Sequence, residues 1–245
     1  MKRAQAWLDA ATIIVAVLVA WQLLSFAVGA HVLPPPGATW DRLVVLFGEP
    51  RFLADLASTA EAYVVALAVA MGGGLVFGVA FGGWRLIGDS FEPFMHLLVA
   101  TPKVTLYPVI LLLFGLGDSA KIVFGVLHAL PPVAIMTANA IRTVRPVHRK
   151  TALTLRLSPA AYAARLLVPA VLPDILGAFR VCFAQALLGV LIGEMFASTR
   201  GLGHLLMASI GVDDNPTILA IVVIVFVFAG GGSAALLAAA SRRKG

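Results

Sequence analysis

The chain has 245 residues, 60% of them hydrophobic and only 12% charged, with a mean hydropathy of +0.98. A soluble domain carries about 25% charged residues, so these figures exclude a soluble globular protein and point to an all-α integral membrane protein. The net charge of +6 does not point to nucleic acid, because the basic residues gather at the ends of apolar stretches, where membrane insertion places them.

A bilayer core needs roughly 20 mostly apolar residues per helix. Six windows meet that length: 11–28, 60–83, 94–114, 121–141, 175–197 and 217–239. They use up nearly the whole chain, so a single transmembrane domain over 1–245 is expected, with no internal repeat and no low-complexity tail. The first window follows Met1-Lys2-Arg3 and precedes the small residues Val28-Gly29-Ala30, which are the ingredients of a cleaved signal peptide. Asp9, the length of the run and Trp21 near its far end fit an uncleaved span better.

In the second window, Gly72-Gly73-Gly74 is no dinucleotide fingerprint: no strand precedes it and Phe77 takes the third glycine position. Close helix contact is the better reading, since small residues let backbones approach in lipid. The third window contains Pro102 and Pro108, which either break the helix, so that freed backbone groups line a path, or merely kink it. Lys103 beside them either attracts an anion or snorkels, and snorkelling is preferred. His128 in the fourth window reads as a satisfied interior histidine. The fifth holds Cys182, whose solitude rules out an intrachain disulfide or zinc cluster. It also holds Gln185, placed either toward a pore or in a helix–helix hydrogen bond, and Glu194, placed either in a gate or packing pair or against substrate.

Between the fourth and fifth windows lies a basic segment, about 142–172, with Arg142, Arg145, Arg149, Lys150, Arg156, Arg165 and His148. The positive-inside rule places it in the cytoplasm. Six spans then put both termini inside as well, in agreement with Lys2-Arg3 and Arg242-Arg243-Lys244, while the 84–92 loop gives no help. Within the segment Pro146 opens a helix over 147–157, and Ser158-Pro159 reads as an N-cap with proline at the first helical position. A second short helix, 159–168, should stop before Pro169, because the residue before a proline avoids the helical region. Its alanines surround Tyr162 and Leu166, four apart on one face, a profile suited to a groove on another protein. The rival reading is a plain basic loop on anionic headgroups.

The segment KTALTLRLSPAAYAARLLVP resembles the Glu-Ala-Ala loop of permease subunits of bacterial ABC importers: E-A-A-x-x-x-G, nine further residues, then I-x-L-P. In register, Lys150, Thr151 and Ala152 stand for the first three, Arg156 for the glycine, and Leu166, Val168 and Pro169 for the end. ATPKVTLYPVILLLFGLGDSAKI and LPDILGAFRVCFAQALLGVLIGEMFASTRGLGHLL resemble two further blocks of the sulfonate, taurine and nitrate permease subfamily, with Pro173, Gly177, Arg180, Glu194 and Gly201-Leu202-Gly203 in their places. The resemblance runs from about residue 72 to the end.

It implies six transmembrane helices with a cytoplasmic coupling helix between the fourth and fifth, in the bacterial inner membrane. Implied partners are a second permease copy, two ATPase subunits that hold the ATP and Mg, and an extracytoplasmic substrate-binding protein, with no nucleic acid. Lys150, Thr151, Ala152, Arg156, Ser158, Pro159, Tyr162, Arg165, Leu166 and Pro169 would form the ATPase-coupling surface, and Pro102, Pro108, Gln185 and Glu194 the path or gate. The chain lacks G-x-x-x-x-G-K-[ST], so no nucleotidase activity, cofactor or metal is expected in it. Two rivals remain: a gradient-driven secondary transporter, which predicts paired intramembrane charges and inverted repeats that the sequence does not display, and a membrane-embedded enzyme, for which the five histidines are too scattered.

Overall fold

The computed structural model describes residues 2–241, and every regular element in it is a helix. The terminal charges at 242–244 used above for orientation lie outside the described residues. In chain order the helices are α1 (Lys2–Val28), α2 (Pro36–Phe47), α3 (Pro50–Gly83), α4 (Arg85–Ala100), α5 (Tyr107–Phe114), α6 (Asp118–Arg142), α7 (Pro146–Thr154), α8 (Pro159–Tyr162), α9 (Val168–Ala197), α10 (Leu202–Gly211) and α11 (Asn215–Ser241). Five stretches of these are long and apolar enough to cross a bilayer: Leu8–Val28, Pro50–Gly83, Asp118–Arg142, Ala160–Phe196 and Asn215–Ala234. A sixth crossing arises only from α4 and α5 taken together across a 98° bend.

The central helix is α6, with α3 against one side and α9 against the other. In lipid no hydrophobic drive brings helices together, so close approach of small residues has to do it. Ala66 and Ala70 on α3, Ala129 and Ala134 on α6, and Ala178 and Ala186 on α9 are all at 0% exposure. Between α6 and α9 the approach is backbone to backbone: a Cβ on Gly189 would stand 2.7 Å from the Gly125 Cα. Cys182 is fully buried in the same layer and packs as a small apolar side chain. By contrast α1 exposes most of its apolar length and is tethered by Trp21, whose indole N–H donates to the Pro34 carbonyl at 3.0 Å, and by Ser25, whose hydroxyl donates to the Leu33 carbonyl.

At the end of the bundle away from the basic segment, local sequence sets the start of α11. Asp214 accepts the Thr217 N–H at 3.2 Å and the Thr217 hydroxyl at 2.6 Å, an N-cap with Pro216 in the first turn. Arg42 on α2 then ties this cap to its own helix: its guanidinium donates to Thr217 at 2.7 Å and lies 3.2 Å from Glu49.

Three sequence expectations need correction. The third window, 94–114, is not one helix: α4 begins at Arg85 and ends at Ala100, and the chain turns by 98° before α5. Thr101 is extended (ψ 134°), as a residue before proline must be, and Pro102 has no N–H to continue the ladder. The Leu97 carbonyl accepts both the Thr101 N–H at 2.9 Å and the Thr101 hydroxyl at 2.8 Å, and the Lys103 ammonium reaches the Val99 carbonyl. Helix α4 also replaces the expected 84–92 loop, because Arg142 at the end of α6 holds Asp89 and Glu92 and donates to the Phe81 carbonyl.

The third correction concerns the second helix of the basic segment, which does not stop before Pro169. From Pro159 the chain passes through a widened π turn, Ala163–Leu167, directly into α9. The Val168 N–H bonds back to the Ala163 carbonyl, five residues away, and that wider spacing absorbs the donor that Pro169 lacks. The Ser158 cap is present, its hydroxyl accepting the Ala161 N–H at 3.2 Å. Before it, α7 ends in a Schellman-type turn: the Leu157 N–H donates to the Ala152 carbonyl at 2.9 Å while Arg156 adopts φ +47°.

A non-glycine residue in that left-handed conformation costs roughly 1–2 kcal/mol. Arg156→Gly is therefore expected to stabilise the corner by about 1 kcal/mol and to slow hydrogen exchange at the Leu157 amide; faster exchange would contradict the turn. Gly189→Leu should wedge α6 from α9 at a cost of about 3 kcal/mol, read as loss of monodisperse protein in detergent.

Candidate functional site

The segments assigned above to coupling and to the path lie in two separate regions. At the basic end, α7, the Arg156 corner and α8 form a helix–turn–helix whose second arm is continuous with α9. Ala152 is buried at 7% exposure and anchors α7, whereas Lys150, Thr151, Arg156, Ser158 and Arg165 are exposed. Tyr162 and Leu166 are half-buried, each offering part of its side chain outward. Pro159 opens α8, and Pro169 is exposed in the first turn of α9. Arg165, Leu166 and Pro169 face, across an open cleft of about 440 Å³, the end of α6 at Ala140 and the residues just beyond it, Thr143 and Arg145.

The residues assigned to the path are not brought together. Pro102 is exposed at the bend and Pro108 is exposed in the first turn of α5. Gln185 is half-buried on α9 and makes no side-chain hydrogen bond among the described residues. Glu194 lies near the far end of α9 at 0% exposure.

Around Glu194 the structure assembles a cluster that sequence reading missed. Lys121, at 1% exposure, extends from the first turn of α6 to within 3.3 Å of Glu194 Oε1, and its other donors go to Ser58 Oγ at 2.7 Å and Asp118 Oδ1 at 2.9 Å. Paired intramembrane charges, absent from the sequence reading, are thus present in the fold. On its other side the Glu194 carboxylate accepts the Thr59 hydroxyl at 2.8 Å and the Gly203 N–H at 3.0 Å. Thr59 in turn accepts the Leu202 N–H at 2.8 Å, and Asp55 accepts the Gly201 N–H at 2.8 Å.

The orphan amides at the start of α10 are therefore capped by side chains of α3 and α9 rather than by its own flanking residue. Two carboxylates also sit where the helix dipole favours negative charge. Gly201 makes this close fit possible: its φ is +112°, and a Cβ there would fall on the Glu194 carboxylate. His128, buried at 8% exposure, donates from Nδ1 to the Phe124 carbonyl at 3.0 Å within its own helix. The only signals of the cluster along the chain were Glu194 itself and the Gly201-Leu202-Gly203 triplet.

Removing one member of a buried pair leaves the other uncompensated, at a cost of about 3–5 kcal/mol. Lys121→Met and Glu194→Gln are each expected to lower the thermal midpoint of the purified protein strongly. The double variant should recover part of the loss, a coupling read from the four-variant cycle; strict additivity would mean the two side chains do not interact.

Comparison with known proteins agrees with this architecture. The chain is 26% identical over 211 residues to the taurine transport system permease protein of Escherichia coli (strain K12), covering 84% of this chain and 77% of that protein. It is 28% identical over 211 residues to a putative aliphatic sulfonates transport permease protein of Bacillus subtilis (strain 168), covering 82% and 74%. A chain of the MetNI methionine ABC transporter in inward-facing conformations shares the fold, with a TM-score of 0.56 and 18% identity over 76% of this chain and 93% of that one. The profile of one family matches residues 70–243, so the chain belongs to the binding-protein-dependent transport system inner membrane components.

Proposed function

We propose that this chain is the transmembrane permease subunit of an ATP-driven importer for a small sulfonate-type or similarly anionic solute. The observation that carries the reading is the unbroken run from α8 into α9. Ala160–Phe196 is one span of 37 residues, a lever of about 55 Å at 1.5 Å per residue. A push on its basic end is transmitted along one helix, by way of Glu194, to the α10 corner at the other end.

In this reading the basic end faces the cytoplasm, as the positive-inside rule requires, and both termini lie on that side. Tyr162 and Leu166 seat in a groove of a separate ATPase, with Arg165 as a rim charge and Lys150, Thr151, Arg156, Ser158, Pro159 and Pro169 shaping the same surface. Ala152, being buried, braces α7 behind them. ATP and Mg are held by two such ATPase subunits; a second permease copy and an extracytoplasmic binding protein complete the assembly. Residues 1–245 act as one membrane domain.

Energetically, the partner supplies the bias. A ligand moves a two-state equilibrium only by its differential affinity for the two states, and ATP provides that difference in the ATPase. This chain has to transmit it without loss. The π turn and the strained Arg156 corner are compatible with that task, since both are held by backbone bonds rather than by flexible side chains.

The sulfonate-type substrate rests on the taurine and aliphatic sulfonate systems named for the relatives. A gradient-driven carrier would share one feature, the Lys121–Glu194 pair, but that pair is closed in by Thr59, Ser58 and the Gly203 amide.

Co-elution with an ATPase and vanadate-sensitive hydrolysis are the expected results of purification; transport by the lone chain in liposomes under a proton gradient would overturn the reading. Tyr162→Asp should leave insertion intact while abolishing stimulation of ATP hydrolysis by substrate-loaded binding protein. Unchanged stimulation would remove Tyr162 from the contact.

A further inference from the structure

We infer that the cleft between the end of α6 and the start of α9 binds a zwitterionic group, a tetrahedral oxyanion joined by a short linker to an ammonium. A free aminosulfonate and a phosphoethanolamine lipid headgroup share that chemistry. The inference goes beyond the importer reading and does not depend on it.

Shape is the first argument. The opening of about 440 Å³ at the basic end is continuous with a second of about 360 Å³, the two sharing Ala140, Thr143 and Asp174. Together they have an apolar floor, with Leu166, Pro169 and Ala170 on one wall and Ala140 on the other. The charged lining residues, Arg145, Arg165 and Asp174, are exposed at the rim. Arg165 lies in the π turn and Asp174 nine residues further along the same continuous helix, about 13 Å at 1.5 Å per residue. That spacing leaves room for a ligand between the two side chains.

Unspent charge is the second argument. Among the described residues, Arg145, Arg165 and Asp174 form no ion pair with one another or with any other side chain. Arg142, three residues before Arg145, spends its guanidinium on Asp89, Glu92 and the Phe81 carbonyl. The cleft therefore presents both signs of charge at once. A simple anion is opposed by Asp174 and a simple cation by two guanidiniums. A zwitterion satisfies both, because a guanidinium fork matches a tetrahedral oxyanion and Asp174 takes the ammonium. The last carbonyls of α6, at the negative end of its dipole, line the same space and add to the pull on the ammonium.

Protection of a cysteine placed in the cleft tests this. In a Cys182→Ala background, Ala170→Cys of the full-length chain is labelled with N-ethylmaleimide, an uncharged reagent, in nanodiscs of phosphatidylglycerol alone. Gly177→Cys, whose Cβ meets nothing closer than Met136 at 3.9 Å, repeats the reading from the adjoining opening. Taurine is expected to slow labelling at a concentration about fivefold or more below that needed with ethanesulfonate, the least that a unit charge in contact contributes in water. Asp174→Asn should erase that difference, and Arg145→Gln with Arg165→Gln should remove protection by taurine. In a second arm, phosphatidylethanolamine replaces half of the lipid and no solute is added. Protection in this arm alone identifies the occupant as a headgroup, and protection by taurine alone identifies it as a free solute. Protection in neither arm, equal protection by taurine and ethanesulfonate, or failure of both cysteines to label overturns the inference. None of these results touches the importer reading, which fails only if no ATPase co-purifies.

Discussion

The buried carboxylate of Glu194 is the constraint on which this bundle depends. A charge at 0% exposure must be neutralised and fully hydrogen-bonded or the fold does not hold it. Lys121 answers the charge, and Thr59 and the Gly203 amide answer the remaining lone pairs. Because those partners come from α6, α3 and α10, satisfying one side chain of α9 fixes four helices at once. Packing alone would not do so, since α3, α6 and α9 meet through alanine and glycine faces that carry little directional information.

The same cluster explains how a short helix can be held at the membrane boundary. At ten residues, α10 has too little length to sustain itself. Its first amides are bound by Asp55, Thr59 and Glu194, so its start moves with α3 and α9. At the other end of α9 the continuous π turn welds the basic corner to the span. One helix therefore connects the exposed basic surface with the buried charge cluster.

The broken α4–α5 pair has a different logic. Thr101-Pro102 interrupts the ladder, and Arg142 pins α4 to the end of α6 through Asp89 and Glu92. The pair follows α6 without providing a rigid lever of its own. The bundle thus combines one long continuous helix with one jointed pair.

Much was legible along the chain, because apolar content, proline and basic charge act locally. The span-length windows, the Ser158 cap, the basic segment and the glycine-lined contacts each follow from residues within a turn or two of one another. The break at Pro102 was legible as one of two readings, and the 98° turn between α4 and α5 decided for the break. The Lys121–Glu194 pair was not legible, since its members are 73 residues apart and Lys121 stands at the edge of its window like any boundary cation. Nor was the continuity past Pro169, which depends on the width of the preceding turn. By itself the sequence determined which stretches enter the membrane and where the basic corner forms, for these are sums of local transfer and backbone preferences. Which charges meet was decided only by the tertiary structure, because that depends on residues distant in sequence facing one another across a low-dielectric interior, and how far α9 extends was decided by the widened turn before it, which no residue pattern announces.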